Sequence, residues 1–132
     1  MELLAVFIGG SLGALLRYFI YSQFDTFYIP TFLVNIIGCF VIGFASYLYH
    51  RANTRLDKCV KSFITVGLTG GLTTFSTFVL DLYKFISMDN LAGMFIYLIL
   101  SVFLGLCMVS FGINLAYSLM VSLIRARKGY NK

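Results

Sequence analysis

A short polar run inside an apolar stretch of this chain contains the residue types best suited to binding an ion. Residues 70–78 read Gly-Gly-Leu-Thr-Thr-Phe-Ser-Thr-Phe, and apolar sequence flanks them on both sides. In a lipid bilayer each unpaired backbone group costs several kcal/mol, so a broken helix persists there only where protein buries it or where it lines a cavity. The run therefore predicts a helix break at a functional site.

The side chains in and near this run offer hydrogen-bond donors. Asn35, on the preceding apolar segment, carries two amide N–H donors at membrane depth. It could face a pore, or it could form a hydrogen bond between helices that stabilises the bundle. Gly70 and Gly71 give the backbone freedom to break. Four hydroxyl side chains can then pair with the backbone groups that the break releases: Thr73, Thr74, Ser76 and Thr77.

Two phenylalanines and one arginine extend this set. Phe75 and Phe78 are spaced i, i+3 and share one face of a helix. The positive edges of their rings could contact an anion, although the same spacing is also typical of ordinary packing. Arg17 follows a small-residue run at positions 9–14. It either reaches the membrane interface as a snorkelling side chain or attracts anions to a pore entrance.

The last apolar segment adds a polar stripe, because Tyr97 and Ser101 are spaced i, i+4. Ser110 and Asn114 repeat that spacing, but the sequence assigns them no role. The acidic residues, Asp81 among them, fall near segment ends, so we expect no carboxylate in the middle of a span. A cation-coupled carrier usually needs an acid at depth. The inventory therefore favours a small anion over a cation.

The elements that must position these residues follow from composition. Hydrophobic residues make up 60% of the 132 positions, charged residues 11%, and the mean hydropathy is +0.92, which indicates an integral membrane protein. A spanning helix needs about 20 apolar residues. We predict one all-α membrane domain over residues 1–132 with four transmembrane helices, the third of them broken at Gly70–Phe78. The four predicted helices cover roughly residues 3–21, 31–49, 62–86 and 91–123.

Basic residues cluster on one side of this predicted bundle, whereas the two opposite loops hold only Lys84. The positive-inside rule then places both termini in the cytoplasm, for helices that cross a cell membrane. The sequence contains no grouping of nucleophile, base and acid, so we predict that the protein is not an enzyme. The basic cluster comprises Arg51, Arg55, Lys58 and Lys61 between the second and third helices, and Arg125, Arg127, Lys128 and Lys132 in the tail.

Three motifs on three successive predicted helices resemble the bacterial fluoride channel family, also called camphor-resistance or fluoride exporter proteins. They are GGSLGALLRY at residues 9–18, NIIGCFVIG at residues 35–43 and GGLTTFSTF at residues 70–78. The resemblance covers essentially the whole chain. It implies a fluoride-selective channel that lowers intracellular fluoride by passive export. It also implies an antiparallel, dual-topology dimer with two pores along the subunit interface.

The resemblance further implies roles for particular residues. A structural sodium ion at the dimer centre would bind the backbone carbonyls of Gly70 and Thr73 from each subunit. Arg17 would lie near the vestibule. The implied anion pathway consists of Asn35 as a pore-lining donor, Phe75 and Phe78 as a phenylalanine box, Ser76 and Thr77 as hydroxyl lining, and Tyr97 with Ser101 as its continuation.

Other possibilities stay open. The charge asymmetry favours an antiparallel heterodimer with a homologous subunit of opposite topology, although a second copy of the chain remains an alternative. A small four-helix multidrug-type transporter would have similar size and hydropathy, but that class resembles proteins built around a glutamate in the first helix, and Glu2 lies too near the N-terminus to serve. A non-transporting membrane assembly protein would use every polar residue only to join helices.

Overall fold

The computed structural model describes residues 1–51 and 58–130, with residues 50, 51 and 126–130 described by their backbone alone. These parts are mostly helical and contain no β-strand. Two of the basic residues that set the predicted orientation, Arg55 and Lys132, lie outside the described residues. Four helical segments are long and apolar enough to cross a membrane, which confirms the predicted fold class. They span Glu2–Tyr21, Ile29–Tyr49, Lys58–Ser87 and Leu91–Arg125.

The first two membrane-crossing segments are regular helices. Helix α1 comprises Glu2–Tyr21 and helix α2 comprises Ile29–Arg51. Pro30 lies in the first turn of α2, where a helix tolerates proline because the missing N–H would have no partner within the helix. Both helices are apolar on most faces, as expected of segments that contact lipid or other protein on every side.

The third segment is interrupted. Helix α3 (Lys58–Lys61) leads into a π-helix at Ser62–Leu68, which continues as helix α4 (Thr69–Leu72). Helix α5 then runs over Phe75–Ser87. Between α4 and α5 the backbone is extended, with φ −76° and ψ 159° at Thr73 and φ −150° and ψ 122° at Thr74. This confirms the predicted break within residues 70–78.

The break does not use the conformational freedom of the two glycines, because Gly70 and Gly71 both remain helical within α4. Gly71 instead allows close packing, since a Cβ there would collide with the Gly10 carbonyl oxygen of α1. Likewise, a Cβ on Gly9 would lie 2.5 Å from the Phe63 carbonyl oxygen in the π-helix. Because glycine has no side chain, α1 can lie directly against the backbone of the third segment.

Helix α6 (Leu91–Tyr130) is the longest element, with 40 residues, or about 60 Å at about 1.5 Å per residue. It extends past the predicted end at residue 123 and packs mainly on α2. The contact is close because a Cβ on Gly112 of α6 would lie 2.5 Å from the Phe40 carbonyl oxygen of α2. Together, α1 on the third segment and α2 on α6 form the two helix pairs that position the break.

Candidate functional site

Asn35 binds the backbone at the break from α2. Its Nδ2 donates to the Thr74 carbonyl oxygen at 3.1 Å, and the Thr74 N–H donates to its Oδ1 at 2.8 Å. In an uninterrupted α-helix the Thr74 N–H would donate to the Gly70 carbonyl. Asn35 therefore holds the break in place and releases the Gly70 carbonyl. The predicted alternative, a hydrogen bond between helices, is present, and one of the two Asn35 amide N–H donors has no partner among the described residues.

Thr74 also caps the helix that follows the break. Its Oγ1 accepts from the Thr77 N–H at 3.2 Å and lies 3.0 Å from the Thr77 hydroxyl, as expected of a threonine at a helix N-cap. The Thr77 N–H is thereby diverted from the Thr73 carbonyl, its partner in a continuous helix. The Thr73 carbonyl instead accepts from Arg17 Nη1 of α1 at 3.2 Å. Two successive carbonyls at the break are thus bound from two different helices.

Several predicted site residues share one cavity of about 420 Å³, which we call the Asn35 cavity. Its walls include the side chains of Asn35, Thr73, Phe75, Phe78 and Ser101. The Ser101 Oγ is buried and has no hydrogen-bond partner within the described residues. Because buried polar groups are normally paired, this hydroxyl lacks the partner that it would ordinarily have, on a residue of the cavity wall.

The two phenylalanines that were predicted to form a box lie together at the Asn35 cavity. Their ring centroids are 6.1 Å apart, with an angle of 38° between the ring planes. Phe75 is 77% exposed in the single chain. Such exposure suits a residue that contacts lipid or a second subunit, because a large apolar ring is otherwise costly to leave in water.

Three other predicted residues line a second cavity, of about 520 Å³, which we call the Arg17 cavity. Arg17, Ser76 and Thr77 contribute to its walls, and Thr74 lines both cavities. The extended residues of the break therefore separate the two cavities. The structure divides the predicted anion pathway at this point rather than placing all its members in one space.

Tyr97 is buried and lies beside the Asn35 cavity rather than on its wall. Its ring centroid is 5.3 Å from that of Phe78. Its hydroxyl donates to Asp81 Oδ2 at 3.4 Å, so the single O–H proton of Tyr97 is directed at a carboxyl group. The ring is the part of Tyr97 that faces the phenylalanine pair.

Asp81 is the residue that sequence reasoning missed. It was placed near a segment end, whereas its side chain is 0% exposed within α5 and its Oδ1 has no hydrogen-bond partner in residues 1–51 and 58–130. Two signals in the sequence could have found it. It lies three residues after Phe78, on the same helix face, and an acid within an apolar segment is costly enough to suggest a function.

Backbone oxygens at the break could hold a cation. The carbonyls of Gly70 and Thr73 are both released from helical hydrogen bonding, as described above. Gly70 is exposed, and a Cβ there would meet no atom within 4 Å, so the space beside it is open. No group of three or more His, Cys, Asp or Glu side chains could hold a metal in the described part of the chain. Carbonyl oxygens suit a hard cation, and the residues fit sodium in this respect.

Comparison with known proteins gives a consistent result. The family model described as "CrcB-like protein, Camphor Resistance (CrcB)" matches residues 4–113. A "Fluoride-specific ion channel FluC" of Pectobacterium atrosepticum is 42% identical over 103 residues, which are 75% of this chain and 80% of that protein. A protein of the same name from Phocaeicola vulgatus is 40% identical over 117 residues, covering 85% of this chain and 95% of the relative. "Fluoride-specific ion channel FluC 2" of Staphylococcus saprophyticus is 35% identical over 117 residues, covering 87% and 96%.

Proposed function

The chain belongs to the CrcB-like camphor-resistance family, and we propose that it is a fluoride-specific ion channel that exports fluoride across the cell membrane. Its four membrane-crossing helices make it a multi-pass membrane protein. Passive flow is sufficient for export, because a negative-inside potential drives an anion outward at about 2.3 kcal/mol per 100 mV per charge. Such flow lowers intracellular fluoride without ATP or proton coupling.

The observation that carries this proposal is the unpartnered Ser101 hydroxyl in the Asn35 cavity. Fluoride is strongly hydrated, so a pore must replace its water shell with donors and still bind weakly enough to permit exit. The Ser101 O–H and the remaining Asn35 N–H are uncharged donors of this kind. The edges of the Phe75 and Phe78 rings add positive potential without hydrogen bonds. This combination suits a desolvated anion better than it suits a cation.

We propose that the channel is an antiparallel dimer with two pores along the subunit interface. The Asn35 cavity is open on one side, and the exposed Phe75 ring at its edge would be covered by a partner. A structural sodium ion at the dimer centre would bind the Gly70 and Thr73 carbonyls of this chain and the corresponding carbonyls of the partner. Two released carbonyls from one chain are too few for a usual coordination shell, which supports a site shared between chains.

The partner is a homologous subunit of opposite charge bias, giving a heterodimer, with both termini of this chain in the cytoplasm. Eight of the ten basic residues fall on one side of the predicted bundle, and such asymmetry commits a chain to one orientation. An antiparallel dimer then needs a second chain with the opposite commitment. Labelling of cysteines introduced near each terminus in intact cells tests this. Termini found on both sides in similar amounts contradict the single orientation.

Fluoride and chloride efflux from liposomes tests the channel. The chain is reconstituted alone and, separately, with any homologue encoded beside it, and both ions are followed with selective electrodes. Fluoride efflux without chloride only on co-reconstitution indicates a heterodimer, whereas the same efflux from the single chain indicates a homodimer. Folded protein without fluoride efflux in either case contradicts the channel. Transport of cationic dyes would favour a multidrug-type transporter instead.

A further inference from the structure

Arg17 reaches the break from α1 and binds a backbone oxygen there. Its Nη1 donates to the Thr73 carbonyl at 3.2 Å in a part-buried contact. On the neighbouring residue, the Thr74 carbonyl accepts from Asn35 of α2. The single chain therefore already holds two consecutive carbonyls of its break with side chains from two helices.

The Thr73 carbonyl is also one of the two oxygens to which the proposed function assigns sodium. A carbonyl oxygen has two lone pairs, so a guanidinium and a metal ion can both bind it. Both groups are positively charged, however, and their repulsion is stronger in a protein of low dielectric constant than in water. Arg17 must therefore change how strongly a cation binds at this oxygen.

We propose that Arg17 and the sodium ion oppose each other at the Thr73 carbonyl. Arg17 keeps the carbonyl in position, and its charge weakens cation binding there. The same charge raises the local concentration of anions, because Arg17 lines the cavity on the other side of Thr74. This inference rests on the proposed function, since sodium enters through it.

Removal of Arg17 changes sodium affinity in opposite directions if its charge opposes the ion and if it only supports the break. If Arg17 only supported the break, its removal would loosen the carbonyls and weaken sodium binding. If its charge opposes the ion, removal strengthens sodium binding even where the protein becomes less stable without sodium. The sodium concentration that gives half of the maximal stabilisation therefore separates the two roles.

The experiment measures the melting temperature of the detergent-solubilised channel while sodium chloride replaces N-methyl-D-glucamine chloride at constant ionic strength. For Arg17→Gln, we expect the half-maximal sodium concentration to fall about tenfold. Lys84→Gln is the matched control, because it removes the same charge from α5 at a place where the Nζ lies 5.2 Å from the centroid of the Phe27 ring. Its half-maximal concentration stays within about twofold of the wild type.

Ala14→Lys gives a second test that does not remove Arg17. Ala14 lines the Arg17 cavity, so a lysine there adds positive charge beside the break and is expected to raise the half-maximal sodium concentration several-fold. Three results would overturn the inference. They are a half-maximal sodium concentration that is unchanged or higher for Arg17→Gln, one that is unchanged for folded Ala14→Lys, and a wild-type melting temperature that does not depend on sodium. Fluoride efflux of the wild type is read separately. If the wild type still conducts fluoride after such a result, only the inference about Arg17 fails. If fluoride efflux is absent, the proposed channel function is contradicted as well.

Discussion

Replacing Ser101 by alanine removes the hydroxyl that the structure leaves unpaired in the Asn35 cavity. A hydrogen bond to a charged group contributes about 1.5–3 kcal/mol. At about 1.4 kcal/mol per factor of ten, its loss where fluoride passes the cavity slows efflux roughly ten- to 150-fold. The stability of the Ser101→Ala protein should not fall below that of the wild type, because a buried hydroxyl without a partner contributes no hydrogen bond to the folded state.

The chain supplies a matched control for this change. Ser110 lies on the same helix, is exposed, and donates to the Leu106 carbonyl at 3.1 Å. Ser110→Ala removes the same atoms from a side chain that already has a partner. We expect its fluoride efflux to remain within about twofold of the wild type, because nothing in the Asn35 cavity changes.

Initial fluoride efflux from liposomes, normalised to folded protein, is the assay, and the melting temperature is measured beside it. Both variants are compared at the same protein density, so that a smaller number of active channels per liposome is not mistaken for slower conduction. Efflux from Ser101→Ala equal to that of the wild type would refute the reasoning. A melting temperature of Ser101→Ala well below that of Ser110→Ala would show that the Ser101 hydroxyl has a structural partner instead.

Other perturbations test the neighbouring geometry. Tyr97→Phe should leave fluoride efflux within about threefold of the wild type, because the lost proton points at Asp81 and the ring against Phe78 is kept. A loss of efflux as large as that expected for Ser101→Ala would instead identify the Tyr97 hydroxyl as an anion donor. Gly71→Ala should destabilise the protein by roughly 1–3 kcal/mol, because its Cβ meets the backbone of α1. Gly10→Ala, whose Cβ would come no closer than 3.9 Å to the Gly67 carbonyl oxygen, should have little effect, and equal melting temperatures for the two variants would contradict this packing.

The membrane fold was predictable because it depends on quantities that can be counted along the chain. Apolar length indicated four crossing helices, and clustered glycines and hydroxyls indicated a break in the third. The position of the break within that run was harder to predict. Glycine suggested it by backbone freedom, yet Gly71 is used for contact with Gly10 while Thr73 and Thr74 become extended. That choice depends on a neighbouring helix, which a single segment of sequence does not describe.

The candidate site shows the same limit. Asn35 was recognisable as a polar side chain at membrane depth, but its pairing with the Thr74 backbone joins residues 39 positions apart. Both possibilities considered for Asn35 turn out to be compatible, because one N–H serves the break and the other remains available. Asp81 was missed because its role was judged from its distance to a segment end, and the sequence does not show that its side chain is buried.

Hydrogen-bond accounting at the break explains how one set of residues can support both structure and ion binding. In the membrane, each released N–H and carbonyl needs a partner. Asn35 and Thr74 satisfy two N–H groups with side-chain oxygens, and this leaves the Gly70 carbonyl without its helical partner. The donors left over, on Asn35 and Ser101, belong to side chains whose positions are fixed by helix packing. Donors held in this way do not reorganise around each ion, so a small anion that matches their spacing is favoured over a larger one.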